Sequence, residues 1–429
     1  MPLPDGRAPV LVDGVRTPFL RSGTGFADLR AYDLGRMALK GLFVRTGFDP
    51  ADLDRVILGT VVADVDTPNV AREAALAAGV PATVPAHTVS LACISSNQAL
   101  AEACGLIALG QADAVVAGGT DTLSDPPIRF ARPVRKRLFE AQKAKSPADY
   151  AKLLRGLSPA DLRPDAPAIA EFSTGLSMGE SAEQLAARFE ISREAQDAYA
   201  LRSHRLAAEA WAAGHYDRQV VPAAVPPDFE PIVQDNGFRA DSSAEKLASL
   251  KPAFEKPYGT VTAGNASFLT DGASAALVMS EEAARAQGLT PKAHLRQWLF
   301  TALEPDWRLL LGPAVAIPRL LKAAGLRREE VDVWEIHEAF AGQVLAVLAA
   351  LDSQAFADDY LDGERFGEVP MDRLNLWGGS LSLGHPFGAT GVRLAATAAD
   401  RLHAEGGRYA VVAACAAGGH GHAMLIERA

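Results

Sequence analysis

Four residues of this chain stand where a polypeptide can do chemistry. Cys93 lies in VSLACISSNQAL, where a strand-like run (His87–Leu91) gives way to a helical pattern. A thiol at a helix N-terminus feels the positive end of the backbone dipole, which favours the nucleophilic thiolate. A cysteine among Leu, Ala and Ile is, taken alone, more often a buried structural residue. His385 lies in WGGSLSLGHPFGATG, clamped by Gly384 and Pro386, with Gly388 and Gly391 opening the next helix. An imidazole held on such a loop suits a general base that deprotonates a thiol, although a turn histidine in solvent gives the same string. Cys415, in YAVVAACAAGGHGHAM, ends a buried strand. A thiol there could give and take protons if its pKa falls near neutrality, and the backbone N–H groups beside it could hold an oxyanion; a small core residue is the plainer reading. His337 lies in VDVWEIHEAFAGQV; the HE pair starts like HExxH, but position 341 is Ala, so that zinc motif fails and no metal role is expected. By itself His337 reads as a satisfied core histidine. Gly264, Asn265 and Ser267, in KPYGTVTAGNASFLTDGASA, read only as a loop with room for a flexible chain.

These residues must be positioned by a sizeable scaffold. The chain has 429 residues, with ordinary globular hydrophobic (48%) and charged (22%) fractions, enough to bury a large core. Asp and Glu outnumber Lys and Arg by 52 to 42, a formal charge of −10, which argues against a nucleic-acid surface. Three cysteines, none in a CxxC pair, fit neither a thiolate zinc site nor a disulfide framework, and so suit a reducing compartment. The start, MPLPDGRAPVLVDGVRTPF, lacks a secretory or transit pattern, so a cytoplasmic location is the expectation.

Short β-branched runs alternate with longer helical patterns, the signature of an α/β layered fold. Val10–Val12, Arg55–Leu58, Ala114–Val116, Val331–Ile336, Ala410–Ala413 and Ala423–Ile426 read as buried strands; Tyr32–Thr46 and Ser192–Ala213 read as amphipathic helices. The stretches Leu91–Gly119 and Ser382–Gly419 each read as a small-residue turn, a helix, a Gly-containing stop, a Val/Ala strand and a Gly-Gly. Two copies of one α/β module, each giving a helix N-terminus to a shared site, would explain this; chance similarity of two βα units is the alternative. Between Asp125 and Thr174 the alternation breaks in a basic segment carrying Arg129, Arg132, Arg135, Lys136, Arg137, Lys143, Lys145, Lys152 and Arg155. It reads as an inserted helical excursion, either a solvated charged face or a docking surface for anionic or amphipathic ligands.

Together these segments resemble the thiolase family, from VRTPF at Val15 to the C-terminus. The Cys93 turn, the TVTAGNAS loop, the HEAF loop, the GHP loop and the Cys415 strand occur in family order. His337 in place of the usual Asn of NEAF, Ala-Ala-Gly-Gly after Cys415, and the basic insert point to the branch of the β subunit of the trifunctional fatty-acid oxidation complex and its bacterial counterpart.

The resemblance implies a thiolase fold, with two repeated βαβαβαββ halves in an α-β-α-β-α layering and an inserted loop domain. The halves would span 1–124 with 175–279, and 280–429, with the insert at 125–174. It implies thiolytic cleavage of 3-ketoacyl-CoA, or the acetyl-CoA C-acetyltransferase reaction, with coenzyme A as co-substrate and no prosthetic group. A non-catalytic CoA- or lipid-binding protein on this scaffold would have lost one of Cys93, His385 and Cys415, and all three are present. Cys93 would be the acylated nucleophile, His385 its activator and that of the CoA thiol, and Cys415 the acid/base at the α-carbon. His337 would help build a first oxyanion hole, and the N–H groups of Cys93 and Ala417 a second. Met178, Ala263, Ser267 and Phe340 would contact pantetheine or acyl group. A homodimer or homotetramer, a hydratase/dehydrogenase α subunit and peripheral membrane contact through the insert are the implied associations.

Overall fold

The computed structural model describes residues 7–165 and 170–429. In chain order, β1 (Pro9–Arg16), α1 (Ala31–Thr46), β2 (Arg55–Gly59), β3 (Ala86–Val89), α2 (Ser95–Ala108) and β4 (Ala114–Asp121) come first. The helices α3 (Arg132–Ala141), α4 (Pro147–Leu154), α5 (Met178–Arg188) and α6 (Arg193–Ala212) follow. The chain then returns through β5 (Thr270–Ser280) and β6 (Ala293–Ala302) to α7 (Gly312–Ala324), β7 (Val333–Ile336) and α8 (Ala341–Leu351). It ends with α9 (Ser380–Leu383), α10 (Thr390–Glu405), β8 (Tyr409–Ala416) and β9 (His420–Arg428).

These nine strands lie in one sheet in the order β7-β8-β9-β6-β1-β5-β4-β2-β3, and a tenth, short strand at Leu20–Arg21 pairs with β5. The sheet contains the repeat seen in the sequence. β2–β4 is parallel, and β4–β5 and β5–β1 are antiparallel. Likewise β7–β8 is parallel, and β8–β9 and β9–β6 are antiparallel. The two sets meet at β1 and β6 through Val10 opposite His294 and Leu11 opposite Ala293. All eleven residues of β5 are buried, as its small apolar sequence DGASAALVM requires of a strand covered on both faces.

The helices that precede β4 and β8, α2 and α10, share one core. Ile94, Leu100 and Ile107 meet Val392, Ala395 and Leu402 there, against Val115, Val412 and Met424 of the strands. Each of the Val, Leu, Ile and Met side chains there contributes roughly 1.5–3 kcal/mol by leaving water. This shared core places the N-terminal ends of both helices, and hence Cys93 and His385, on one rigid base.

The excursion forms a separate compact unit, Pro126–Ile169, described here through Asp165. Arg129–Phe130 pairs with Pro164–Asp165 and closes its base. Within it, the Arg137 guanidinium donates to the carbonyls of Leu153 (2.6 Å) and Arg155 (2.7 Å), satisfying acceptors at the end of α4. This unit ends at Ile169, within the 125–174 read from the sequence. Ala170 bridges Ser177, and the Glu171 carboxylate accepts from the Gly418 N–H at 2.6 Å, which joins 170–174 to the larger unit.

Candidate active site

The turn before α2 is built to present a side chain. Ala92 sits at φ +46°, a left-handed conformation that costs a non-glycine residue of order 1 kcal/mol. Ser95 holds it: its Oγ accepts from Leu91 N–H (2.8 Å) and donates to the Ala92 carbonyl (2.7 Å). Cys93 follows, just ahead of the first turn of α2, where the Ala417 N–H favours the charged form of its sulfur. At the end of β4, the buried Asp121 carboxylate accepts from Thr60 Oγ1 (3.0 Å), Val62 N–H (2.8 Å) and Gly388 N–H, tying the end of β2 to the loop that carries His385.

His385 follows Gly384, whose φ of +108° suits glycine. Its N–H donates to Thr270 Oγ1 (3.0 Å), and its Nδ1 lies 2.6 Å from Thr390 Oγ1. The Thr390 hydroxyl spends its one proton on the Pro386 carbonyl (3.0 Å), so it accepts from His385 Nδ1–H. That leaves a lone pair on Nε2, which has no partner among the described residues. His337 follows β7, fixed by a bond from its N–H to the Ala413 carbonyl (2.8 Å). Its Nδ1 is 3.0 Å from Ser380 Oγ, its Nε2 is also without a protein partner, and its ring centre is 4.2 Å from that of His385. The Cys93 sulfur and one nitrogen from each of these rings lie within 4.8 Å of one another.

Cys415 is buried at the end of β8. Phe340 is buried and meets Phe254 edge-on at 6.4 Å. Ala266 bridges Phe340, and Ser267 N–H donates to the Ala339 carbonyl (2.9 Å), so the TVTAGNAS and HEAF loops run side by side. Met178, half-buried at the start of α5, packs on the same apolar cluster as Phe340 and Cys415. Ala263 is exposed.

The profile described as "Thiolase, N-terminal domain" matches residues 9–282, and "Thiolase, C-terminal domain" matches 289–428. The chain belongs to the thiolase family. The mitochondrial trifunctional enzyme subunit beta of Bos taurus is 55% identical over 99% of this chain and 89% of its own. A probable 3-ketoacyl-CoA thiolase of Caenorhabditis elegans is 56% identical over 97% of this chain and 93% of its own. Among solved structures, the acetyl-CoA acetyltransferase of Bacillus anthracis superposes with a TM-score of 0.84 at 34% identity, covering 98% of this chain and 99% of that one. Human mitochondrial 3-ketoacyl-CoA thiolase in complex with CoA superposes with a TM-score of 0.83 at 31% identity, covering 99% and 98%.

Electrostatics set the resting state of this thiolase. Burial pushes the Cys93 thiol up to about 12, outweighing the Ala417 N–H that favours the thiolate, and Asp121 adds to the rise. Burial also drives Cys415 well above the ordinary thiol range, with Cys93 adding to it. Burial thus outweighs the backbone donors that favour a thiolate at Cys93, and it also raises Cys415. His385 is lowered to about 3 by burial and then by Arg393. His337 is lowered by burial, then by His385 and Arg393. The resting site is a neutral thiol beside two neutral imidazoles. A thiol and two imidazoles at this spacing also suit a soft cation, but the buried Arg393 guanidinium opposes positive charge and favours an anion, as a nucleophile and oxyanion site requires.

Sequence reasoning missed the residues that hold the site. Glu338, fully buried, accepts from Tyr199 (3.0 Å), Ser203 (2.7 Å) and Asn375 (2.8 Å), joining the HEAF loop to α6 and to the segment before α9. Asp121 was visible only as a carboxylate ending a small-residue strand. Ser380 and Thr390 flank His385 at five residues on either side, and that symmetry of hydroxyls was the one signal available. Arg393 gave none.

Proposed function

We propose that this chain cleaves 3-ketoacyl-CoA with CoA, giving acetyl-CoA and a shortened acyl-CoA through an acyl thioester on Cys93. The observation that carries this reading is the convergence of the Cys93 sulfur with one nitrogen from each of two imidazoles, within 4.8 Å, where both Nε2 atoms lack a partner among the described residues. His385 Nε2 takes the Cys93 proton as sulfur attacks the 3-carbonyl. The bond between C2 and C3 breaks, and the Cys415 thiol protonates C2 of the departing acetyl-CoA enolate. The imidazolium proton restores the Cys415 thiol. CoA then gives its thiol proton to His385 and attacks the acyl-Cys93 carbonyl, and Cys93 leaves and is reprotonated. The Cys93 and Ala417 N–H groups face the acyl oxygen, and His337 the enolate oxygen. The experiment is cleavage of a 3-ketoacyl-CoA series from four carbons upward, with Cys93→Ala as control. Activity that rises with chain length and vanishes in the variant supports the reading. Activity confined to acetoacetyl-CoA supports the acetyltransferase reading, which the likeness to the Bacillus anthracis enzyme favours. No cleavage of any member refutes both.

The separate unit supports a further association, with an anionic lipid surface. It exposes Phe130, Leu138, Phe139 and Tyr150 together with Arg132, Lys136 and Lys143. Cosedimentation with anionic vesicles, weakened by Lys136→Glu and Lys143→Glu, is the expected result. The name of the Bos taurus relative supports pairing with a second, different subunit; gel filtration with and without such a subunit tests it.

A further inference from the structure

We propose that Ser380 and Arg393 are positioning residues that fix His337 as a hydrogen-bond donor toward the reacting atoms, opposite in sense to His385. The direction follows from donors that cannot accept. Arg393, on α10 and 1% exposed, donates from Nη2 to Ser380 Oγ at 2.7 Å. A guanidinium has no acceptor, so this bond runs one way. Among the described residues Ser380 Oγ has one other hydrogen-bond partner, His337 Nδ1 at 3.0 Å. The serine proton therefore goes to Nδ1, and the single ring proton of neutral His337 is left on Nε2. At His385 the bond runs the other way, because Thr390 gives its proton to the Pro386 carbonyl and accepts from Nδ1. Two rings 4.2 Å apart thus present opposite faces to the site, a lone pair from His385 and an N–H from His337.

The relay is anchored at its cationic end. Glu335, fully buried, lies 4.0 Å from Arg393 Nη1 and accepts from Arg401 Nη1 at 2.8 Å. A hydroxyl that accepts from a cation is a stronger donor, and the imidazole it donates to becomes a stronger donor at its far nitrogen. The kinetic consequence rests on the thiolytic reading; the tautomers do not.

The test uses the full chain labelled with 15N-histidine and two-bond 1H–15N correlation spectra, assigned with His337→Asn and His385→Asn. The expected spectra place the proton on Nε2 of His337 and on Nδ1 of His385. Ser380→Ala moves the His337 proton at least partly to Nδ1 and lowers kcat about 10- to 100-fold, with KM for CoA little changed. Ser380→Thr, which keeps the hydroxyl, restores the tautomer. If Ser380→Ala does not fold, the wild-type spectrum decides alone. A His337 proton on Nδ1 in the wild type, or an unmoved tautomer or unchanged kcat in Ser380→Ala, overturns the proposal. The expected tautomers in a protein that cleaves no 3-ketoacyl-CoA would sink the thiolytic reading and leave the hydrogen-bond assignment standing.

Discussion

Gly119→Ala should disable the site while leaving its chemical groups in place. Gly119 ends the glycine pair of β4, and the loop after His385 lies directly on it. A Cβ there would stand 1.8 Å from the Gly388 carbonyl oxygen and 2.5 Å from its carbon. Those are backbone atoms, so no side chain can swing aside. Reaching even the 3.0 Å that real Cβ contacts essentially never undercut requires a retreat of about 1.2 Å, the difference between 3.0 and 1.8. The loop that must retreat bonds Asp121 through Gly388 and carries His385. A misplacement of about 1 Å at reacting groups costs on the order of 10²-fold in rate, or about 2.7 kcal/mol of barrier. Overpacking should cost roughly 1–3 kcal/mol of stability as well. The control is Gly105→Ala in α2, where a Cβ would meet nothing within 4 Å and helix propensity should add about 0.5–1 kcal/mol. Steady-state cleavage and thermal melting of both variants are the assay. A Gly119→Ala protein with wild-type kcat would refute the claim that this contact sets the His385 position. Should that variant fail to fold, Gly388→Ala, with its Cβ 2.7 Å from the Gly59 carbonyl oxygen, gives a milder displacement to measure.

Other consequences can be checked as directly. Incubated with a 3-ketoacyl-CoA and no added CoA, the Cys93 peptide should gain the mass of the shortened acyl group, and His385→Gln should abolish that gain; labelling of Cys415 instead would reverse the roles. Stability should fall in acid. His385 and His422 are each held at about 3, below the unfolded value of 6.5. Their contribution is complete above pH 6.5 and is lost as pH falls toward 3, by about 1.4 kcal/mol per group per pH unit. Urea midpoints across pH 7.5 to 4.5 should show this slope, and His422→Phe should make it shallower. Glu338→Gln turns an amide N–H₂ either toward Ser203, which donates to Oε2, or toward Tyr199 and Asn375, which donate to Oε1, and should cost about 2–3 kcal/mol in a urea melt. Arg137→Glu should loosen the separate unit, seen as faster proteolysis there, because Arg137 holds the end of α4.

What could be read from the sequence was what repeats at short range. Val10–Val12, Ala410–Ala413 and Ala423–Ile426 fall inside β1, β8 and β9. The helix read at Tyr32–Thr46 is α1, and Ser192 and Ala213 prove to be the two caps of α6. Apolar periodicity reports burial of one face, and that burial is local to each element. The order of strands depends on pairs distant in sequence, up to Val10 opposite His294 at the joint between β1 and β6, which no local pattern encodes. The same limit applies at the site. The types and turns of Cys93 and His385 were legible because glycine, proline and a strand–helix switch mark them. Ser380, Thr390 and Arg393 carry no such mark, since a hydroxyl or a guanidinium on a helix is ordinarily solvated. The helix-end argument counts the dipole and not the desolvation, and desolvation is the larger effect on Cys93.

That balance bears on how the site works. If Cys93 were a thiolate at rest beside an imidazolium, the site would carry a buried ion pair whose desolvation opposes folding. The structure instead keeps the reacting groups neutral and places its fixed charge one residue away, on Arg393 behind Ser380. The site then gains negative charge only when substrate arrives, on the sulfur as it attacks or on the enolate oxygen as it leaves. Fixed donors are already aimed there, so that charge meets oriented N–H groups without reorganisation. The cost is borne at low pH, where the same burial that keeps His385 a free base leaves it destabilised by any proton the unfolded chain accepts more readily. Arg393 thus raises acid sensitivity and strengthens the oxyanion site through one buried charge. Arg393→Met should separate these effects: the acid limb of the kcat/KM profile should move toward the ordinary histidine range while kcat falls at every pH. A variant that shifts the limb but keeps full kcat would show that the charge tunes the base alone and that the His337 donor needs no support from it.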